Sequence, residues 1–122
     1  MEQPLGKYAG NALEVFECLE IMKNKKSIAP GRGDLYEDTR ELSLQLSAHM
    51  IHIAGKAESV SQAYSLAKKL LESGAALKVF EQMCAEQGGQ LNNLKLPEKK
   101  LDICAARAGF ICSFDVEKIG LA

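Results

Sequence analysis

The chain has 122 residues, 47% of them hydrophobic and 25% charged, a balance that fits a globular domain and argues against disorder. Fifteen basic against sixteen acidic residues leave a net charge of −1, so there is no electrostatic footprint for nucleic acid or for an anionic membrane. No apolar run approaches the roughly 20 residues of a membrane span, and Met1-Glu2-Gln3-Pro4 lacks the basic and apolar regions of a signal peptide.

The first six residues, with Pro4 and Gly6, read as a loop. Asn11 is expected to cap a first helix, with Glu14 three residues on completing a capping box. Ala12, Val15, Phe16, Leu19 and Met22 recur at helical spacing and mark its inward stripe. Lys23-Asn24-Lys25-Lys26 closes it with positive charge, where the helix dipole favours it. Residues 27–33 hold Pro30, Gly31 and Gly33 and are expected to form a connection.

Asp34 and Glu37 repeat the capping-box spacing. Leu35, Leu42, Leu46, Met50 and Ile53 then predict the buried face of a long second helix, ending at Gly55 as its C′ residue. Ser59 and Gln62 cap a third helix whose stripe is Val60, Ala63, Tyr64, Ala67 and Leu71. Ser73-Gly74 breaks it. A fourth helix places Ala76, Val79, Phe80 and Met83 inward and stops at Gly88-Gly89.

Residues 90–100 are polar, include Pro97, and read as a loop. Leu101-Asp102-Ile103-Cys104-Ala105 and Phe110-Ile111-Cys112-Ser113-Phe114 are short apolar runs around Gly109, which predicts a β-hairpin. Asp115, with Lys118 three residues on, is positioned to open one more helix, cut off at Leu121-Ala122. The expected fold class is therefore mainly α, four helices with a small C-terminal β-hairpin. Residues 1–89 form the helical part, and residues 90–122 hold the loop, hairpin and truncated helix.

Candidate chemistry is sparse. His49 and His52 lie three apart on one helix and could share a metal, but no third ligand stands at an associated spacing and both border the Leu46–Met50–Ile53 stripe. Arg32-Gly33-Asp34 is a chance tripeptide whose residues already serve a loop and a cap. Gly88-Gly89 follows a helix, so it is a C-cap and not a phosphate cradle. Cys18, Cys84, Cys104 and Cys112 are widely spaced, form no Cys-x-x-Cys, and read as free thiols of a reducing cytoplasm. Glu17 is different. Capping explains Glu14, but Glu17 borders the apolar stripe beside a tight Pro/Gly loop, and a carboxylate near loop carbonyls is material for a hard-cation site.

Met1-Glu2-Gln3-Pro4-Leu5-Gly6 and Gly10-Asn11-Ala12-Leu13-Glu14-Val15 resemble the pyrimidine-nucleoside and thymidine phosphorylases. The likeness returns at Ser73-Gly74-Ala75-Ala76-Leu77-Lys78-Val79-Phe80, a stretch shared with the anthranilate phosphoribosyltransferases. It returns again at Gln87-Gly88-Gly89, Gly109-Phe110-Ile111 and Asp115 to Ala122, and so covers the whole chain. The resemblance implies an excised internal segment of the large α/β domain of an enzyme several times longer. Such enzymes cleave thymidine or uridine with phosphate to the free base and (deoxy)ribose 1-phosphate, in the cleft between a helical and an α/β domain.

It further implies part of a monovalent-cation (potassium) site: backbone carbonyls of Leu5 and Tyr8, with Glu17 one helical turn on. Tyr8 departs from the small residue usual there, which matters little for a main-chain ligand. The family's phosphate-binding Lys-x-Ser loop and its base-binding Arg, Ser and Lys have no counterpart, so phosphate and nucleoside are expected as partners of the parent only. Reactions of this type rest on fixed cationic groups that hold phosphate and developing charge, so the isolated chain is expected to be inactive. A homo-oligomer, a cytoplasmic location and no cofactor in the isolated chain complete the expectation. The competing expectation is a stand-alone helical protein-interaction module derived from this family.

Overall fold

The computed structural model describes residues 5–121; Met1 to Pro4 of the expected opening loop and motif, and Ala122, lie outside the described residues. The elements run α1 (Asn11–Met22), β1 (Ile28–Ala29), β2 (Gly33–Asp34), α2 (Glu37–Ile53), α3 (Val60–Glu72), α4 (Ala75–Glu86) and α5 (Val116–Leu121), with a 3₁₀ turn at Leu91–Asn93. The chain is mainly α, as its sequence leads one to expect. None of these helices is long and apolar enough to cross a membrane.

Local signals set several boundaries. Ser59 Oγ accepts from the Gln62 N–H at 3.2 Å, and the Gln62 side chain accepts from the Glu58 N–H; together they open α3. Asp115 Oδ1 accepts from the Lys118 N–H and opens α5. Gly55 takes a positive φ of 68°, and the N–H groups of Gly55 and Lys56 bond to the carbonyls of His52 and Ile51. That double bond pattern satisfies orphan carbonyls at the end of α2. The cap of α1 moves by one residue: Gly10 is the N-cap, with its N–H donating to Glu14 Oε1 at 3.0 Å, and Asn11 is the first helical residue.

The centre of the structure is the α2–α3 helical hairpin. Ala48 and Ala63 are fully buried, and Ala67 and Leu44 nearly so; three of these four side chains are small, which lets the two backbones approach closely. Tyr64 spans the pair by donating to Glu41 Oε2 at 2.7 Å. At the far end, Asn24, just past α1, adopts a left-handed φ of 56°. Its side-chain amide donates to the Leu71 and Glu72 carbonyls and so caps α3 from a distance.

Larger expectations also need correcting. The β-hairpin exists, but it joins Ile28–Ala29 to Gly33–Asp34 in antiparallel register, inside the stretch read as a plain connection. Residues 101–105 and 110–114 carry no strand. A strand needs ladder partners, and an isolated two-stranded ribbon is marginal in water; Phe110, at 99% exposure, has nothing to cover it.

The predicted face of α2 is also reversed. Leu42, Leu46, Met50 and Ile53 are exposed, Met50 by 70% and Ile53 by 84%, and the covered row is Leu44 and Ala48. On α4, Val79 and Met83 are likewise exposed, whereas Ala76, Leu77, Phe80 and Cys84 are half-buried. In all, the chain exposes 9931 Å², against roughly 6,500 Å² for a compact folded chain of its mass.

Candidate cation site

Glu17 sits on the inner side of α1 and is only 3% exposed. A carboxylate so placed is tolerated when its oxygens are hydrogen-bonded, and they are. Oε2 accepts from the backbone N–H groups of Lys7 at 3.0 Å and Tyr8 at 2.9 Å. Oε1 accepts from the Thr39 hydroxyl, in the first turn of α2, at 2.8 Å. One side chain thereby fastens the loop of residues 5–10 to two helices.

Gly6 makes this approach possible. Its φ is +72°, and a Cβ there would lie 2.0 Å from Glu17 Oε1 and 2.3 Å from Thr39 Oγ1. Any other residue at position 6 would push the carboxylate and the hydroxyl out of place.

Leu5, Tyr8 and Glu17 line one cavity of about 300 Å³, together with Thr39, Cys18 and Val116. The three residues singled out by the sequence are thus brought together. The Tyr8 ring is turned onto Phe16, edge to face at 5.9 Å, and the Lys7 ammonium lies 4.9 Å from its centroid. Tyr36 is buried beneath; burial, then the neighbouring Tyr8, Glu20 and Glu17, push its phenol up to about 12. Burial followed by the Glu17 and Glu14 carboxylates pushes the Cys18 thiol up as well, so it is a poor nucleophile.

A second carboxylate, partly buried, is that of Asp34. Asp34 does not cap α2, whose N-cap is Tyr36. It accepts instead from the N–H groups of Ser27 and Tyr36 and pairs with Arg40 Nη1 at 2.9 Å. Arg40 Nη2 continues to the Lys25 carbonyl at 2.9 Å. Burial alone would raise the Asp34 carboxyl, but the bonds from Ser27, Arg40 and Tyr36 outweigh it and hold the group below the usual carboxylate range. This cluster ties the hairpin to the ends of α1 and α2.

The single Lys-x-Ser tripeptide of the chain, Lys25-Lys26-Ser27, belongs to that cluster. The Ser27 N–H is given to Asp34, its hydroxyl takes the Lys7 ammonium at 3.0 Å, and Lys25 is paired with Glu20. Its groups are occupied internally. His52 Nδ1 lies 3.0 Å from the Ala57 carbonyl and His49 is exposed. Among the described residues no group of three or more His, Cys, Asp or Glu is placed to hold a metal.

Thr39 is the member of the site that sequence reasoning missed. It is 22 residues from Glu17, and no local spacing links them.

Comparison with known proteins places these residues in context. No family model matches the chain, and no solved structure matches it. Curated relatives do. The pyrimidine-nucleoside phosphorylase of Geobacillus stearothermophilus is 34% identical over 128 aligned positions, covering 100% of this chain and 28% of that protein. The proteins of the same name from Staphylococcus aureus (strain bovine RF122 / ET3-1) and Bacillus subtilis (strain 168) are 33% and 32% identical, with the same coverage. Along its whole length the chain is similar to proteins named pyrimidine-nucleoside phosphorylase, and it spans 28% of the length of the relatives it matches.

Proposed function

We propose that the chain is a scaffold segment of a pyrimidine-nucleoside phosphorylase and that it contributes Leu5, Tyr8 and Glu17 to a monovalent-cation site. The whole protein would cleave thymidine or uridine with phosphate, giving the base and (deoxy)ribose 1-phosphate. The observation that carries the proposal is the match of the entire chain to proteins so named, over 28% of their length. The gathering of the three residues on one cavity supports the site.

The donor set suits a cation such as potassium. A carboxylate offers about four acceptor sites, and Glu17 uses three on Lys7, Tyr8 and Thr39. Main-chain carbonyls from Leu5 and Tyr8 are neutral oxygen donors of the kind hard cations take. The ion, when bound, supplies positive charge that holds the loop and the carboxylate together. The protein's own part is orientation: Gly6 admits the carboxylate, and the two amides fix its direction.

Phosphorolysis needs cationic groups around phosphate, so we assign the chemistry to polypeptide outside this chain. Phosphate and nucleoside are then partners of the complete protein, which we place in the cytoplasm as a homo-oligomer; the four free thiols suit a reducing compartment. A direct test joins this chain with a Geobacillus stearothermophilus phosphorylase polypeptide lacking the matched stretch. Phosphate-dependent release of thymine from thymidine by the pair, and none by either part, is the expected result. Release by the 122-residue chain alone would overturn the assignment.

One observation favours a second reading, a free-standing helical interaction module: the exposed Leu46–Met50–Ile53 row of α2 offers a partner an apolar face. Failure of complementation, together with stable capture of a different protein through that row, would favour it.

A further inference from the structure

We infer that Thr39 is the positioning residue of the cation site: its hydroxyl fixes the Glu17 carboxylate in the orientation that Leu5 and Tyr8 require. The inference deepens the proposed cation reading and rests on it for the identity of the bound ion.

Three observations converge. First, Glu17 hangs from α1, whereas its two loop donors hold only Oε2. Turning the carboxylate about its last side-chain bond moves both oxygens, so the two loop amides resist it from one side only. The Thr39 hydroxyl bonds to Oε1 at 2.8 Å and resists it from the other, the third point that fixes the plane.

Second, Gly6 shows that the position is tightly set. The space a Cβ would need there is filled by Glu17 Oε1 at 2.0 Å and Thr39 Oγ1 at 2.3 Å. Hydroxyl, carboxylate and loop backbone therefore meet at one point. Third, Thr39 lines the same cavity as Leu5, Tyr8 and Glu17 and is anchored in the first turn of α2, which begins at Glu37. A rigid helix thus sets the aim of a carboxylate carried by another.

Groups that orient ligands from behind characteristically change affinity by roughly 10- to 100-fold when removed. Thr39→Val keeps the shape of the side chain and deletes the hydroxyl; Thr39→Ser restores it. Two readouts, on this chain joined with the phosphorylase polypeptide that lacks the matched stretch, separate this inference from the cation reading. Amide hydrogen exchange in choline chloride reports the Lys7 and Tyr8 N–H bonds with no binding ion present. Thermal melting against potassium chloride, with ionic strength held constant by choline, reports the ion.

Thr39→Val is expected to speed exchange at Lys7 and Tyr8 at least several-fold and to raise the potassium half-point about 10-fold, with Thr39→Ser close to wild type in both. Unchanged exchange in Thr39→Val overturns the positioning role, whatever potassium does. Faster exchange in a protein whose wild type ignores potassium supports the role of Thr39 and overturns the cation reading instead. A Thr39→Ser protein that behaves like Thr39→Val also overturns it, because the hydroxyl would then not be the operative group.

Discussion

The segment from Leu5 to Tyr36 and the segment from Leu94 to Asp115 treat their residues in opposite ways. In the first, charged side chains are covered: Glu17, buried, and Asp34, partly buried, each gather three hydrogen-bond donors. In the second, apolar side chains are bare, with Leu101, Ile103, Phe110 and Ile111 open to solvent. The contrast shows that side-chain chemistry alone does not decide burial. Two carboxylates are covered because their oxygens have partners, and a phenylalanine is outside because no element lies opposite it.

Breaking the first segment should cost far more than altering the second. Glu17→Ala leaves the Lys7 and Tyr8 amides and the Thr39 hydroxyl without their acceptor. Urea denaturation should show a loss of about 3 kcal/mol, from the usual cost of buried donors left unpaired. A loss below about 1 kcal/mol would mean that water replaces the carboxylate without penalty.

Arg40→Ala comes next. Both partners of the Asp34–Arg40 pair are 15% exposed or less, and the carboxylate keeps its two amide donors, so about 2 kcal/mol is expected. The same cluster has a pH signature. Asp34 lies below its ordinary value of 3.8 when folded. Its contribution is therefore complete above pH 3.8 and is lost as pH falls through the lower folded value. Asp34→Asn should flatten the acid limb of the stability curve; an unchanged acid limb would show that Asp34 is not the group responsible.

Tyr36 acts at the other end of the scale. Its folded pKa of about 12 stands above the ordinary 10, so its contribution holds below pH 10 and disappears as pH rises through 12. Ultraviolet titration of the phenols should show that the last tyrosine to ionise is missing from Tyr36→Phe, while Tyr64, raised by its hydrogen bond to Glu41, stays late in both proteins. The smallest effect belongs to the bare row of α2. Met50→Lys and Ile53→Lys should change stability by no more than about 0.5 kcal/mol while reducing self-association seen by light scattering. A clean wild-type monomer at high concentration would contradict the interpretation of this row as a face that demands cover.

What the sequence made legible was mostly local. Ser59 with Gln62, Asp115 with Lys118, and Gly55 after α2 act over three or four residues, and each stands where the spacing put it. Glu17 was legible by elimination, as a carboxylate that capping left unexplained. Asp34 misled because the Asp34–Glu37 spacing imitates a cap, whereas the carboxylate is drawn to Ser27 and Arg40 across the hairpin. The α2 face misled for another reason. Two apolar rows run along it, and periodicity cannot say which one meets the small residues Ala63 and Ala67 of α3. Thr39 and Asn24 act over 22 and about 47 residues, distances at which only the fold brings partners together.

The proposed cation site centres on Glu17, a carboxylate held in one orientation by Lys7, Tyr8 and Thr39. Isothermal calorimetry of potassium chloride in choline buffer, into this chain joined with the Geobacillus stearothermophilus phosphorylase polypeptide that lacks the matched stretch, tests this most directly, with Glu17→Gln as the companion. Saturable heat from the wild type that disappears in a folded Glu17→Gln protein is the predicted result. Equal heats from the two proteins, or none from the wild type at potassium concentrations up to the molar range, would contradict it.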